Sequence, residues 1–147
     1  LKLYDDSAIS LSSLYGIRSI MENLTSRMVW LKSGANIIIE QLETLTFIDV
    51  NTSGSRSLKS NSIFSVNAEA AKEAAKQLKL RNISGMIIID FINMKNPEEK
   101  NELIKILKEE IKKDCVTCTF IDITKLGLIE LTRKKRYKSL KEIIYST

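Results

Sequence analysis

Met86-Ile87-Ile88-Ile89-Asp90-Phe91-Ile92 is the most hydrophobic stretch of the chain and the one on which the reading of its fold turns. A short continuous apolar run after the turn signal Ser84-Gly85 reads as a strand. Such a run implies burial on both faces, as in a parallel or mixed sheet covered by helices. Upstream, Leu45-Thr46-Phe47-Ile48-Asp49-Val50-Asn51 reads as a second strand, with a helix-like segment between the two. Strand, helix, strand sets the runs parallel in one sheet, an α/β arrangement. Asp49 and Asp90 then fall at the same carboxyl edge, where open sheets of this class bind ligands. A carboxylate taken from water is costly unless it is paired, hydrogen-bonded or bound to a metal. Two at one site also repel, and a divalent cation is the usual way to keep both ionised.

Working outward, Ile37-Ile38-Ile39 reads as a strand that pairs with Leu45 to Val50 as a hairpin. Apolar residues at Leu14, Ile17, Ile20, Met21 and Leu24 predict one amphipathic helix from about Leu11 to Leu31. Trp30 closes it and is expected to pack against the sheet. Residues 51–65, rich in Ser, Asn and Thr, read as a loop. Asn67 has the chemistry of an N-cap for a helix over Ala68 to Arg81. Asn96-Pro97-Glu98-Glu99 starts another helix: cap, proline at the first position, acids in the first turn. It runs to about Lys113, with Leu103, Ile104, Leu107 and Ile111 as its inner stripe. Val116 to Ile123 and Leu126 to Leu131 read as strands. Arg133-Lys134-Lys135-Arg136 reads as a solvated strand end before the terminal segment Leu140 to Tyr145. The class is α/β, a mixed sheet with helices packed on it.

The 147 residues, 44% of them hydrophobic, suit a single domain with an ordinary core. Lys and Arg number 23 against 18 Asp and Glu, a net charge of +5 that suits a polyanionic partner and equally an ordinary solvated surface. No apolar run reaches the length of a membrane span and no signal-peptide pattern opens the chain, so a cytoplasmic location is expected. The chain begins at Leu1, which reads as a piece of a longer polypeptide. With no histidine, His-based triads, bases and metal ligands are excluded. Cys115-Val116-Thr117-Cys118 is formally a CxxC, but zinc needs two further ligands and no other Cys or His exists. The plainer reading is two small residues in a reducing compartment. Phe47, Phe64, Phe91 and Phe120 are scattered; they read as core rather than as a base-stacking ladder.

The chain resembles the ribonuclease E/G family of endoribonucleases. The resemblance is carried by Lys32-Ser33-Gly34, by Glu43 to Asn51, by Asn67-Ala68-Glu69-Ala70-Ala71 and by Gln77 to Asn82. Gly85 to Met94 and Leu126 to Arg133 complete it. These stretches cover most of the chain from Lys32 onward, far more than one short motif. The resemblance implies that residues 1–31 are the end of an RNase H-like subdomain, contributing a helix, and that 32–147 form a DNase I-like catalytic subdomain.

By resemblance, Asp49 and Asp90 hold a catalytic Mg²⁺, for which Mn²⁺ can substitute, and Asn51 orients Asp49 and the attacked phosphate. Hard oxygen ligands suit Mg²⁺, which takes one or two carboxylates and keeps several waters. The implied reaction is hydrolysis of single-stranded RNA to 5′-phosphate and 3′-hydroxyl products, in RNA processing and decay. Homodimers or dimers of dimers are implied for the full-length protein. Asn93 stands where the family has a second aspartate, and Thr117 where it has a basic residue that contacts the RNA 5′-phosphate. The family's S1 and 5′-sensor subdomains would lie upstream and its zinc-link downstream. From charge alone, Arg56, Lys59 and Arg81 are candidate RNA phosphate contacts, weighed equally against a solvated surface. Two other readings stand beside the ribonuclease: a catalytically silent RNA-binding or assembly fragment, and a metal phosphoesterase acting on small esters.

Overall fold

Alternation of buried and open side chains organises the strands into one mixed sheet with helices packed on one side. The computed structural model describes residues 3–5, 8–52 and 60–145. Its elements in chain order are α1 (Leu11–Leu14), α2 (Ile17–Thr25), β1 (Met28–Trp30), β2 (Asn36–Gln41), β3 (Leu45–Asn51), α3 (Ser60–Leu80), β4 (Gly85–Asp90), α4 (Pro97–Lys112), β5 (Cys118–Ile123), β6 (Ile129–Arg133) and α5 (Leu140–Ile144). The six strands lie in the order β1-β2-β3-β4-β6-β5. The α/β expectation holds, and so does the hairpin: β2 and β3 are antiparallel, with Ile38 opposite Asp49. β3 and β4 are parallel and joined through α3. β1 adds antiparallel to β2, so the sheet takes in residues ahead of Lys32. No helix among the described residues is long and apolar enough to cross a membrane.

One face of the sheet carries the core. Ile37, Ile48, Ile87 and Ile89 are fully buried, and Ile39, Val50, Ile129 and Leu131 nearly so. They alternate along their strands with more open residues, the period-two pattern of a sheet with one covered face. α3 covers this face with Ala70, Ala71, Ala74 and Leu78, and α4 with Leu103, Leu107 and Ile111. The alanines on α3 leave room for the helix backbone to lie close. The β4 run is therefore not covered on both faces as its composition suggested: Met86 is 54% exposed and Ile88 half-buried. Phe64, Phe91 and Phe120 pack against the core as expected, whereas Phe47 points to the other face.

Three local expectations change. The single helix over Leu11 to Leu31 is broken at Gly16, whose φ of +59° is left-handed. Met28 to Trp30 extend instead into β1, and Trp30 is 64% exposed on this edge strand. Asn67 is not an N-cap, because α3 already begins at Ser60. Arg133 is not solvated: it is 3% exposed. Its guanidinium donates to Asp114 at 2.8 Å, to Asn82 Oδ1 at 3.0 Å and to the Ile83 carbonyl at 2.9 Å. It thereby ties the α3–β4 turn, where Asn82 has a left-handed φ of +48°, to the α4–β5 turn. Asn96 does cap α4, accepting from the Glu98 N–H at 2.9 Å, with Pro97 at the first position.

Candidate metal centre

Asp49 and Asp90 are direct register partners on neighbouring parallel strands. Along β3, Asp49 and Asn51 alternate with the buried Ile48 and Val50; on β4, Asp90 follows the buried Ile89. All three polar side chains therefore lie on the face away from α3 and α4, at the carboxyl edge. Adjacent strands sit roughly 4.8 Å apart, so two carboxylates in register face each other closely. Asn51 Nδ2 donates to Asp49 Oδ2 at 2.7 Å. Burial, and then the neighbouring charge of Asp49, push the Asp90 carboxyl above its usual range. A compensating positive charge at this point would lower that cost.

The donor set fits a hard divalent ion. Among the described residues no group of three or more carboxylate or thiol side chains converges, so a complete protein cage of the zinc or calcium type is absent. Two carboxylates with open solvent beside them are what Mg²⁺ commonly takes, keeping waters in its other positions.

Asn67, read from the sequence as a cap, supports this site from inside α3. It is fully buried; its Nδ2 donates to the Ile92 carbonyl at 2.7 Å and its Oδ1 accepts the Ile92 N–H at 3.0 Å. One amide thus satisfies both backbone groups of a residue two beyond Asp90 and fixes the exit of β4. Its N-cap chemistry was the signal, but a cap and a long-range bracket use the same amide. Glu69, two residues on, accepts the N–H groups of Lys32 at 2.6 Å and Ser33 at 3.2 Å, tying α3 to the turn before β2. Burial pushes the Glu69 carboxyl up, but hydrogen bonds from Ser33 and Lys32 outweigh it and hold the group below its usual range.

The other candidates fall elsewhere. Arg81 does not reach the carboxylates. It follows the last turn of α3 at the opposite end of the sheet, is 4% exposed, and donates from Nε to Gln77 at 2.8 Å. Helix α3 runs away from the carboxyl edge, which carries Arg81 there. Arg56 and Lys59 lie outside the described residues. Asn93 is exposed just beyond Asp90, whereas Thr117 lies at the far end, its carbonyl accepting from Lys134 at 3.0 Å. Cys115 and Cys118 are free thiols. Burial pushes Cys118 up to about 11, which keeps it a protonated packing residue at neutral pH.

Comparison with known proteins identifies the family. The model of the Ribonuclease E/G family matches residues 1–136. Ribonuclease G of Haemophilus influenzae is 40% identical over 134 residues, covering 89% of this chain and 27% of its own length. Ribonuclease G of Escherichia coli K12 is 37% identical over 134 residues with the same coverage. Ribonuclease E of Synechocystis is 40% identical over 139 residues, 92% of this chain and 20% of the relative. The chain spans about a quarter of the length of these curated relatives. A family match that runs from the first residue through β6, and so takes in both strands that carry the aspartates, means that the chain belongs to the ribonuclease E/G family.

Proposed function

We propose that this chain carries the cleavage site of a metal-dependent endoribonuclease acting on single-stranded RNA. The observation that carries the proposal is the in-register pair Asp49 and Asp90 on an open sheet edge, one of them with a raised pKa. In this reading Asp49 and Asp90 hold Mg²⁺ or Mn²⁺, and Asn51 keeps Asp49 turned toward it. A divalent cation at such a site supplies charge that offsets the phosphate's and lowers the pKa of water. The chain's own residues hold the carboxylates in place: Asn51 through Asp49, Asn67 through the backbone after Asp90. The products are a 5′-phosphate and a 3′-hydroxyl. Residues 32–147 serve as the DNase I-like subdomain, and 1–31 as the end of the RNase H-like one. A cytoplasmic role in RNA processing, and assembly as a homodimer or dimer of dimers, complete the proposal.

A second reading rests on coverage. Because the chain spans about a quarter of its relatives, most of each of those proteins falls outside the match. The chain then binds metal or RNA without turning RNA over. Incubating it with a 5′-labelled single-stranded oligoribonucleotide and Mg²⁺ separates the two. Cleavage to 3′-hydroxyl ends that is lost in Asp49→Asn supports the enzyme. Mg²⁺ binding with no turnover supports the silent fragment, and cleavage that persists in Asp49→Asn contradicts the assignment.

A further inference from the structure

Beside Asp90, the exit of β4, the first turns of α4 and the β5–β6 turn enclose a groove of about 340 Å³. That lies at the small end of the roughly 300–1,000 Å³ usual for ligand sites, the scale of one nucleoside unit. Its lining mixes apolar side chains with Asp90 and Asn93. Phe91 contributes a half-buried ring, Ile123 is 39% exposed, and Leu126 stands 88% exposed on the turn closed by Thr124 and Gly127. Leu126 does not join the core, so it is available to a ligand in the groove.

The rim is cationic. Lys100 on α4 and Lys125 on the β5–β6 turn both line the groove and are exposed. Neither is in an ion pair among the described residues, whereas Lys105 and Lys113, at and just beyond the same helix, pair with Glu102 at 3.8 Å and Glu110 at 2.7 Å. Unmatched lysines beside a carboxylate pair provide the charge that an incoming phosphodiester otherwise lacks at this edge. An aromatic ring and aliphatic side chains beside two cations at the rim match a base and its phosphate.

We propose that this groove seats one nucleotide of the single-stranded RNA, next to the phosphate at Asp49 and Asp90. The base lies against Phe91, Ile123 and Leu126, and the adjoining phosphate is held by Lys100 and Lys125. This rests on the ribonuclease reading and names the part of the substrate that the β4–α4 side of the site takes.

The test is titration of the chain with a single-stranded decaribonucleotide in EDTA, so that no metal takes part, read by amide chemical shifts and fluorescence anisotropy. The expected result is saturable shifts at Asn93, Lys100, Ile123, Lys125 and Gly127. In Lys100→Ala/Lys125→Ala the affinity falls about tenfold, and the slope of log K against log salt drops by about 1.4, the loss of two single-strand phosphate contacts. Leu126→Ser weakens binding with the salt slope unchanged, which a purely electrostatic patch would not show. Shifts confined to another face, no saturable binding, or unchanged affinity in the double-lysine variant overturns the proposal. A parallel Mg²⁺ titration keeps the two readings apart. Groove binding with no metal response at Asp49 and Asp90 overturns the placement beside a scissile phosphate, while metal binding without groove binding overturns the groove alone.

Discussion

Asn67 brackets Ile92, meeting its carbonyl at 2.7 Å and its N–H at 3.0 Å from a single buried amide. The bracket joins the middle of α3 to the backbone that carries Asp90 out of the sheet. Buried backbone groups left without partners cost about 1–3 kcal/mol each. Asn67→Ala is expected to lower stability by about 3 kcal/mol, seen as a fall of roughly 10 °C in the thermal midpoint. Asn67→Asp, which keeps an acceptor but no donor, falls between the two. A midpoint unchanged in Asn67→Ala contradicts the bracket's role.

Arg133 is the corresponding anchor at the opposite edge. Its guanidinium holds Asp114, Asn82 and Ile83 together, and both members of the ion pair are buried. Removing one partner of a buried pair typically costs about 3–5 kcal/mol, because the other charge is left uncompensated. Arg133→Met is expected to destabilise by that amount in chemical denaturation. Arg133→Met/Asp114→Leu, which removes both charges, recovers much of the loss. Equal loss in the single and double variants rules out the pair as the cause.

Acid has opposite effects at the two edges. Burial raises the Asp114 carboxyl, but hydrogen bonds from Arg133 and the Val116 N–H outweigh it, and the group sits below the usual carboxylate range. Glu69 likewise sits below its usual range. Groups depressed on folding stabilise above their unfolded pKa and lose that contribution as pH falls through the folded one. Stability is therefore expected to fall steeply below about pH 4. Asp90 is raised, so its ionisation at neutral pH destabilises the metal-free fold. Asp90→Asn should melt about 2 °C higher than the parent at pH 7 in EDTA, and the gain should vanish near pH 3. A variant less stable at pH 7 contradicts the charge repulsion inferred at this site.

Asn51 acts through Asp49, to which it donates at 2.7 Å. Losing an outer partner of a metal-ligating carboxylate usually costs about 10- to 100-fold in metal affinity. Asn51→Ala should weaken Mg²⁺ binding by that range in calorimetry while leaving the midpoint within about 2 °C in EDTA. Unchanged Mg²⁺ affinity separates Asn51 from the metal site.

What the chain shows on reading is what is written locally. β4 and the start of α4 are visible because apolar run length, a cap and a proline are properties of neighbouring residues. The shared edge of Asp49 and Asp90 follows from strand, helix, strand, which needs no tertiary detail. The residues misread are those whose partners lie far along the chain. Asn67 meets Ile92 and Arg133 meets Asn82 and Ile83, separations of 25, 51 and 50 residues. Arg81 is placed by the direction of α3, so its charge said nothing of its position. The run Met86 to Ile92 looked covered on both faces because apolar content does not say which face a helix takes; the open Met86 and Ile88 belong to the side that carries the carboxylates.

The central claim is that Asp49 and Asp90 form one divalent-cation site. Titration of the chain with Mg²⁺, followed by backbone amide NMR, tests it most directly, with Asp90→Asn as the control. The account predicts saturable shifts centred on Asp49, Asn51 and Asp90 that disappear in the control while the rest of the spectrum is unchanged. A folded chain whose Asp49 and Asp90 amides do not respond to Mg²⁺ or Mn²⁺, or respond equally in Asp90→Asn, would contradict it.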